Sequence, residues 1–173
     1  MAEEQKKFPS LPKLDFTLWR AARAEEARKT AERRAAADAG IIEIARVGDT
    51  LPDGTIYAGI SPDTGRKMFT LPSDAGIAME FHEAAEYTLK LNKEKTLGHA
   101  DWRLPTKTEL NVLYQNRENG GLKDRFNLSA SNEGWYWSST FYDSFLVYVM
   151  AFRNGIKNVV RHPKNLSSVR CVR

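Results

Sequence analysis

The chain carries one cysteine, Cys171, among its 173 residues. That excludes an intrachain disulfide and any multi-cysteine metal site. Histidine is almost as scarce. His82, His99 and His162 are scattered, and no two have the spacing of a metal-binding helix. No apolar run approaches the ~20 residues that a membrane helix needs, so membrane insertion is not expected. The first residues, Met1-Ala2-Glu3-Glu4-Gln5-Lys6-Lys7, lead into Phe8-Pro9-Ser10 without an apolar stretch, and no secretory leader is read there. The common catalytic signatures are missing too. There is no Gly-x-Ser-x-Gly elbow, no phosphate-cradling loop ending in Gly-Lys and no Gly-x-Gly-x-x-Gly turn. His82-Glu83 has no second histidine at helical spacing.

What is present suits a folded domain with an appendage. Hydrophobic residues make up 42%, enough for a packed core. Net charge is +4 and the pI is near 9.2. The excess is partly C-terminal: Arg153, Lys157, Arg161, Lys164, Arg170 and Arg173 face a single acid, Asp143, after Gly134. This reads as a slightly cationic solvated face, with a weak nucleic-acid binder as a rival.

Three parts follow from the pattern. Residues 1–16 form an extended arm in which Phe8, Leu11, Leu14 and Phe16 are interleaved with Pro9, Pro12 and Lys13. The prolines block helix, so the arm either frays or lies in a groove. Residues 17–40 read as a helix: nine of residues 17–39 are alanine, Thr17 is a candidate N-cap, and Gly40 is a candidate stop. Lacking large apolar residues beyond Leu18 and Trp19, this helix is either a solvated spacer or a small-residue seam between copies of the chain. The second option makes residues 1–40 a homo-oligomerisation element. Residues 41–173 form the body.

Within the body, Ile41, Ile42, Ile44 and Val47 suggest a first strand. Thr55–Ile60 and Lys67–Leu71 suggest a hairpin across Ser61-Pro62-Asp63-Thr64-Gly65. A helix follows, with Phe81, Ala84, Ala85, Thr88 and Leu89 on its apolar face. Thr106 and Glu109 form a capping box before a second helix with Leu110, Leu113 and Tyr114 inward. The remainder reads as strand and loop, with strands at Phe145–Arg153 and Ser168–Val172. Cys171 is expected to be a small core residue, although its flanking arginines could also lower a thiol pKa.

Three stretches are distinctive: Asp101-Trp102-Arg103-Leu104-Pro105-Thr106-x-x-Glu109-Leu110, Trp135-Tyr136-Trp137-Ser138-Ser139, and Val169-Arg170-Cys171-Val172-Arg173. In this order they resemble the C-terminal domain family of the Legionella collagen-like adhesin, the Lcl C-terminal domains, over about residues 50–173. The resemblance implies an α+β fold of the C-type lectin-like kind, with two helices on a small, mostly antiparallel sheet, here preceded by an N-terminal helix. Trp102 and Trp137 would supply buried area, and Arg103 or Arg170 would tie loops through bidentate hydrogen bonds. The broader relatives include the formylglycine-generating enzyme, which works through paired cysteines. With one cysteine, that activity does not carry over. Nor do the Glu-Pro-Asn and Trp-Asn-Asp motifs of calcium-dependent lectins appear. No catalytic residue, metal or cofactor is assigned.

The last forty residues are also similar to variable proteins of diversity-generating retroelements, whose surface codons are randomised. On that resemblance, Tyr148, Met150 and Phe152 point inward, and Phe145, Val147, Val149, Ala151 and Arg153 are displayed. Phe141, Tyr142 and Asp143 extend the patch, and Asn158 and His162 complete it. The alternative for the displayed face is a second covering layer that makes it core. The functional expectation is a non-enzymatic module binding a cell-surface protein or glycan, as a phage or prophage component. The rivals are a divergent enzyme of the formylglycine-generating type and the cationic nucleic-acid binder.

Overall fold

A computed structural model describes residues 16–157 and 159–173. The expected N-terminal arm lies outside the described residues, apart from Phe16, and so does the side chain of the proposed cap Thr17. The chain divides into two units, Met1–Gly40 and Ile41–Arg173.

Helix α1 runs Phe16–Ile44. At 1.5 Å per residue its 29 residues span about 43 Å. Its described side chains from Arg20 to Ile41 are all exposed. Arg28 holds the helix surface together, pairing with Glu25 and Glu32 at 2.8 Å each. The helix does not stop at Gly40, and the strand expected at Ile41–Val47 is its last turn and the bend beyond. Two tertiary contacts explain the difference. Ile42, Ala45 and Val47 pack on a cluster of Leu51, Tyr57 and Phe69. The Lys67 ammonium donates to the carbonyls of Ile42 and Glu43 at 2.6 and 2.7 Å, placing a cation where the helix leaves its last carbonyls bare. One glycine costs only about 1 kcal/mol against alanine, which such contacts outweigh.

The body is α+β, as the sequence suggests. Strands β1 (Ile56–Ile60) and β2 (Lys67–Thr70) pair antiparallel. Helix α2 spans Phe81–Lys93 and helix α3 Lys107–Asn116. Strands β3 (Trp135–Phe141), β4 (Val147–Ala151) and β5 (Val159–Arg161) form an antiparallel sheet with β4 in the middle. Helix α3 crosses β1 closely at Gly59, whose φ is +123°. A Cβ there would sit 3.0 Å from Asn116 and 3.1 Å from Val112, and the Asn116 amide donates to the Ala58 carbonyl at 2.9 Å. The bulge at Gly59 thus sets the approach of helix to hairpin.

The β3–β4–β5 sheet is covered on both sides. Tyr136, Met150 and Phe152 pack with Leu110 and Leu113 of α3. Trp137, Val147 and Val149 pack with Ala84 and Leu91 of α2 and with Trp102. The apolar face of α2 is shifted from expectation. Ala84 and Leu91 are its buried residues, and Leu89 is exposed.

The C-terminal segment forms no long strand. It runs through the middle of the body as single bridges from Ser167, Ser168 and Val172 to four other segments. Residues 167–172 are all buried. Arg170 is fully buried with them. Its Nε donates to Asp74 at 2.7 Å, its Nη1 donates to the Leu71 carbonyl at 2.8 Å, and its Nη2 donates to the Arg125 carbonyl. The guanidinium also lies 4.3 Å from the centre of the Phe126 ring. Removing one partner of a buried pair strands the other. We therefore expect Arg170→Ala to lose about 3–5 kcal/mol in urea unfolding. A loss below about 1 kcal/mol, the scale of a surface pair, would show that the contact does not brace the core.

Candidate ligand-binding site

The β3–β4 hairpin projects the most exposed aromatic groups of the body. Its register slips between Trp137 and Phe141, where three residues of β3 oppose one of β4. The buried Ser138 hydroxyl stabilises the slip, donating to the Tyr148 carbonyl at 2.7 Å and accepting from the Thr140 N–H at 3.1 Å. At the tip, Asp143 Oδ1 accepts from the N–H groups of Phe145 and Leu146 at 2.7 and 2.9 Å. Such a turn needs Asp or Asn at this position. One oxygen of the exposed Asp143 carboxylate is thus committed to the turn.

This turn holds Phe141, Tyr142 and Phe145 at 52, 60 and 72% exposure. Two of them have ring supports. Phe141 meets Phe81 edge-on at 5.2 Å, and Phe81 meets Trp137 at 5.6 Å. Tyr142 meets Tyr148 edge-on at 5.7 Å. Lys107, the first residue of α3, places its ammonium 4.4 Å from the centre of the Tyr148 ring. The strip then opens into a cavity of about 300 Å³ lined by Pro62, Lys107, Thr108, Asn111 and Lys157. Lys157 donates to Asn111 at 3.2 Å, while Asp63 accepts from Thr108 at 2.8 Å. The lining therefore offers two ammonium groups, an amide and apolar surface.

Helix α3 is positioned from below. Thr106 Oγ1 accepts from the Glu109 N–H at 3.2 Å, and Glu109 Oε2 accepts from the Thr106 N–H at 3.0 Å, so the expected capping box is formed. The fully buried Glu109 carboxylate also takes a bidentate pair from Arg103, at 2.6 and 2.7 Å, and the Ser61 hydroxyl at 2.5 Å. Burial raises its pKa. The bonds from Arg103, Ser61 and the Thr106 N–H outweigh that and hold the group below its ordinary value.

The structure separates the residues proposed from sequence. Phe141, Tyr142, Asp143 and Phe145 come together at the tip. His162 is exposed and lies just beyond Arg161, which pairs with Val147, so it sits at the same end of the sheet. Its Nδ1 accepts from the Lys164 N–H at 3.3 Å. Val147, Val149 and Ala151 are not displayed; they are 0, 2 and 5% exposed. The layer containing α2 packs on Val147 and Val149, so this face is core, while Tyr148 on the other face is half-buried. Arg153 is exposed but follows the far end of β4. A five-residue strand is about 17 Å long, so Arg153 does not join the tip. Asn158 lies outside the described residues. Lys107, Lys157 and Tyr148 are the additions. Lys107 and Lys157 are fifty positions apart in sequence and share a cavity only through the packing of α3 on the sheet.

Other reactive groups are accounted for. Cys171 is fully buried, and burial pushes its thiol up to about 12, so no thiolate nucleophile is offered. Among the described residues no group of three or more His, Cys, Asp or Glu side chains could hold a metal ion. None of the described helices is long and apolar enough to cross a membrane.

Fold and surface together define a small α+β domain whose displayed features are aromatic and cationic. Residues 52–173 match the family model of the Lcl C-terminal domain, and the chain belongs to that family. Among curated proteins none matches this chain.

The depressed Glu109 makes stability depend on pH in a defined direction. Its contribution is complete above the ordinary glutamate value of 4.5 and is lost as pH falls through the lower folded value. The stability difference between the wild type and Glu109→Gln, measured by urea unfolding from neutral to acidic pH, should therefore shrink below 4.5. A difference that stays constant through that window would show that Glu109 is not ionised in the fold.

Proposed function

We propose that the body is a non-enzymatic binding module, and that the β3–β4 tip with the adjoining strip to Lys107 and Lys157 is its contact surface. One observation carries this: three large aromatic side chains stand at least half exposed on a turn whose backbone is fixed by Asp143. Tyr and Phe bring large area with few rotors to freeze, so a rigid tip carrying them loses little entropy on binding. Membership of the Lcl C-terminal domain family, whose resemblance implies an adhesin-like module, supports the same reading.

The partner is a protein or glycan on a cell surface, and the body is of C-type lectin-like type. In this reading α1 attaches the module to a larger assembly, such as a phage or prophage particle, or to further copies of the chain, where several weak contacts would add up. If the surface is diversified, the positions free to vary without disturbing the core are Phe141, Tyr142, Phe145 and Arg153, all exposed. Val147, Val149 and Ala151 are not among them.

Binding of the purified chain to a cell-surface and glycan array tests the proposal. Tyr142→Ala with Phe145→Ala should lower the array signal at least tenfold, about 1.4 kcal/mol or more, with the thermal midpoint within a few degrees of wild type. Lys107→Ala should lower it less. Full signal from the double variant removes the tip from the contact surface.

A further inference from the structure

A second cavity lies on the other side of the β1–β2 turn and uses none of the residues of the tip. It has a volume of about 340 Å³ and its polar lining includes Ser61, Arg66, Lys67, Asp101, Arg103 and Arg173. Four of these are cations and one is an acid. We infer that this cavity binds a small oxyanion, the carboxylate or phosphate-monoester group of a ligand.

The state of each cation carries the inference. Lys67 is engaged with the end of α1 through two carbonyls. Arg103 is engaged with the buried Glu109, yet its side chain remains 43% exposed. Arg66 is exposed and makes no side-chain ion pair among the described residues. Arg173 is the informative group. Its side chain is only 15% exposed, and it makes two long ion pairs, to Asp101 at 3.6 Å and Asp53 at 4.0 Å, neither within hydrogen-bond distance. Asp101 itself is 63% exposed and well solvated. Asp53 is already committed to His99 at 2.8 Å and to Thr55. The Nε of Arg173 is buried with no hydrogen-bond partner among the described residues.

A buried donor without an acceptor costs about 1–3 kcal/mol, more when charged. The Nη groups have only long-range acids beside them, so an oxyanion in the cavity would give this partly desolvated guanidinium the close acceptors it lacks. The guanidinium is planar and donates in a fork, which suits two oxygens on one carbon or one phosphorus. Phe69 stiffens the arginine from behind, with the guanidinium carbon 5.1 Å from its ring centre. Arg66 at the mouth adds an unpaired charge. The cavity is small by the standard of ligand pockets, which fits a single charged group rather than a whole chain of sugars or residues.

Inorganic phosphate and acetate are the probes, titrated into the full chain at low ionic strength. Heat of binding and the Arg Nε–H signals in NMR are followed together. Saturable binding is expected for at least one probe, with the Arg173 Nε–H signal moving along the same isotherm. Preference for phosphate assigns a phosphate-monoester ligand, and preference for acetate a carboxylate. Arg173→Lys keeps the charge but removes the fork, and should weaken binding by about tenfold, the worth of one charge-assisted hydrogen bond. Arg66→Gln should weaken it by about threefold. Lys123→Gln, an exposed cation outside the cavity, should leave it unchanged. If Arg173→Lys does not melt cooperatively, Arg66→Gln and the wild-type Arg173 signal decide. No saturable binding of either probe overturns the inference. So does equal binding by Arg66→Gln and wild type, or an equal loss with Lys123→Gln, which would mark unspecific charge attraction only.

Discussion

The burial of Arg170 is the constraint on which the body depends. A guanidinium carries five donors and a charge, and inside a protein both must be matched. Here Asp74 supplies the charge, the carbonyls of Leu71 and Arg125 supply further acceptors, and Phe126 supplies a ring face. Those partners come from segments more than forty residues away in sequence. Asp74 also accepts from the Tyr136 hydroxyl, which in turn accepts from the Asn127 N–H at 2.6 Å. Burial first, and then the Asp74 charge, raises the Tyr136 pKa, so the phenol stays a neutral donor. One hub therefore fixes the C-terminal segment, the loop before α2 and the start of β3 together.

The location of the proposed contact surface follows from that hub. Ser168 bonds to β3 on both sides, accepting from Trp137 and donating to Trp135. With β3 anchored there, the sheet is held between the α2 and α3 layers. Val147, Val149, Met150 and Ala151 of β4 are sealed between those layers, and Tyr148 is half-buried. The part of the hairpin beyond them, from Phe141 to Phe145, carries its most exposed rings. The exposed aromatic tip is thus a consequence of where the two covering layers end.

The readable parts of the sequence were those whose physics is local. The Thr106–Glu109 box needs only four consecutive residues, and the hairpin turn after Ile60 only a run of turn formers. The inward stripe of α3 follows from helical spacing. Cys171 as a small core residue followed from its place in the expected last strand, Ser168–Val172. Where tertiary contacts decide, the pattern misled. Gly40 looks like a stop, but Lys67, 27 positions later, caps the helix beyond it. Period two divides β4 into two faces and says nothing about whether one or both are covered. The pairing of Lys107 with Lys157 depends on α3 lying across the sheet, which no spacing in the chain records.

The turn Ser61–Arg66 ties these features together. Pro62 lines the cavity that continues the aromatic strip, and Ser61 lines the one that ends at Arg173. The Arg103–Glu109 pair stands behind both. Glu109 belongs to the cap that sets Lys107, and Arg103 shows its outer edge in the second cavity. Arg103 cannot turn toward an anion without leaving a fully buried carboxylate alone, at a cost of several kcal/mol. Its charge therefore contributes only at a distance, and direct recognition there falls to Arg173 and Arg66. The same restriction keeps the start of α3 in place whatever occupies that cavity. The two surfaces share a wall, yet a rigid ion pair separates their energetics.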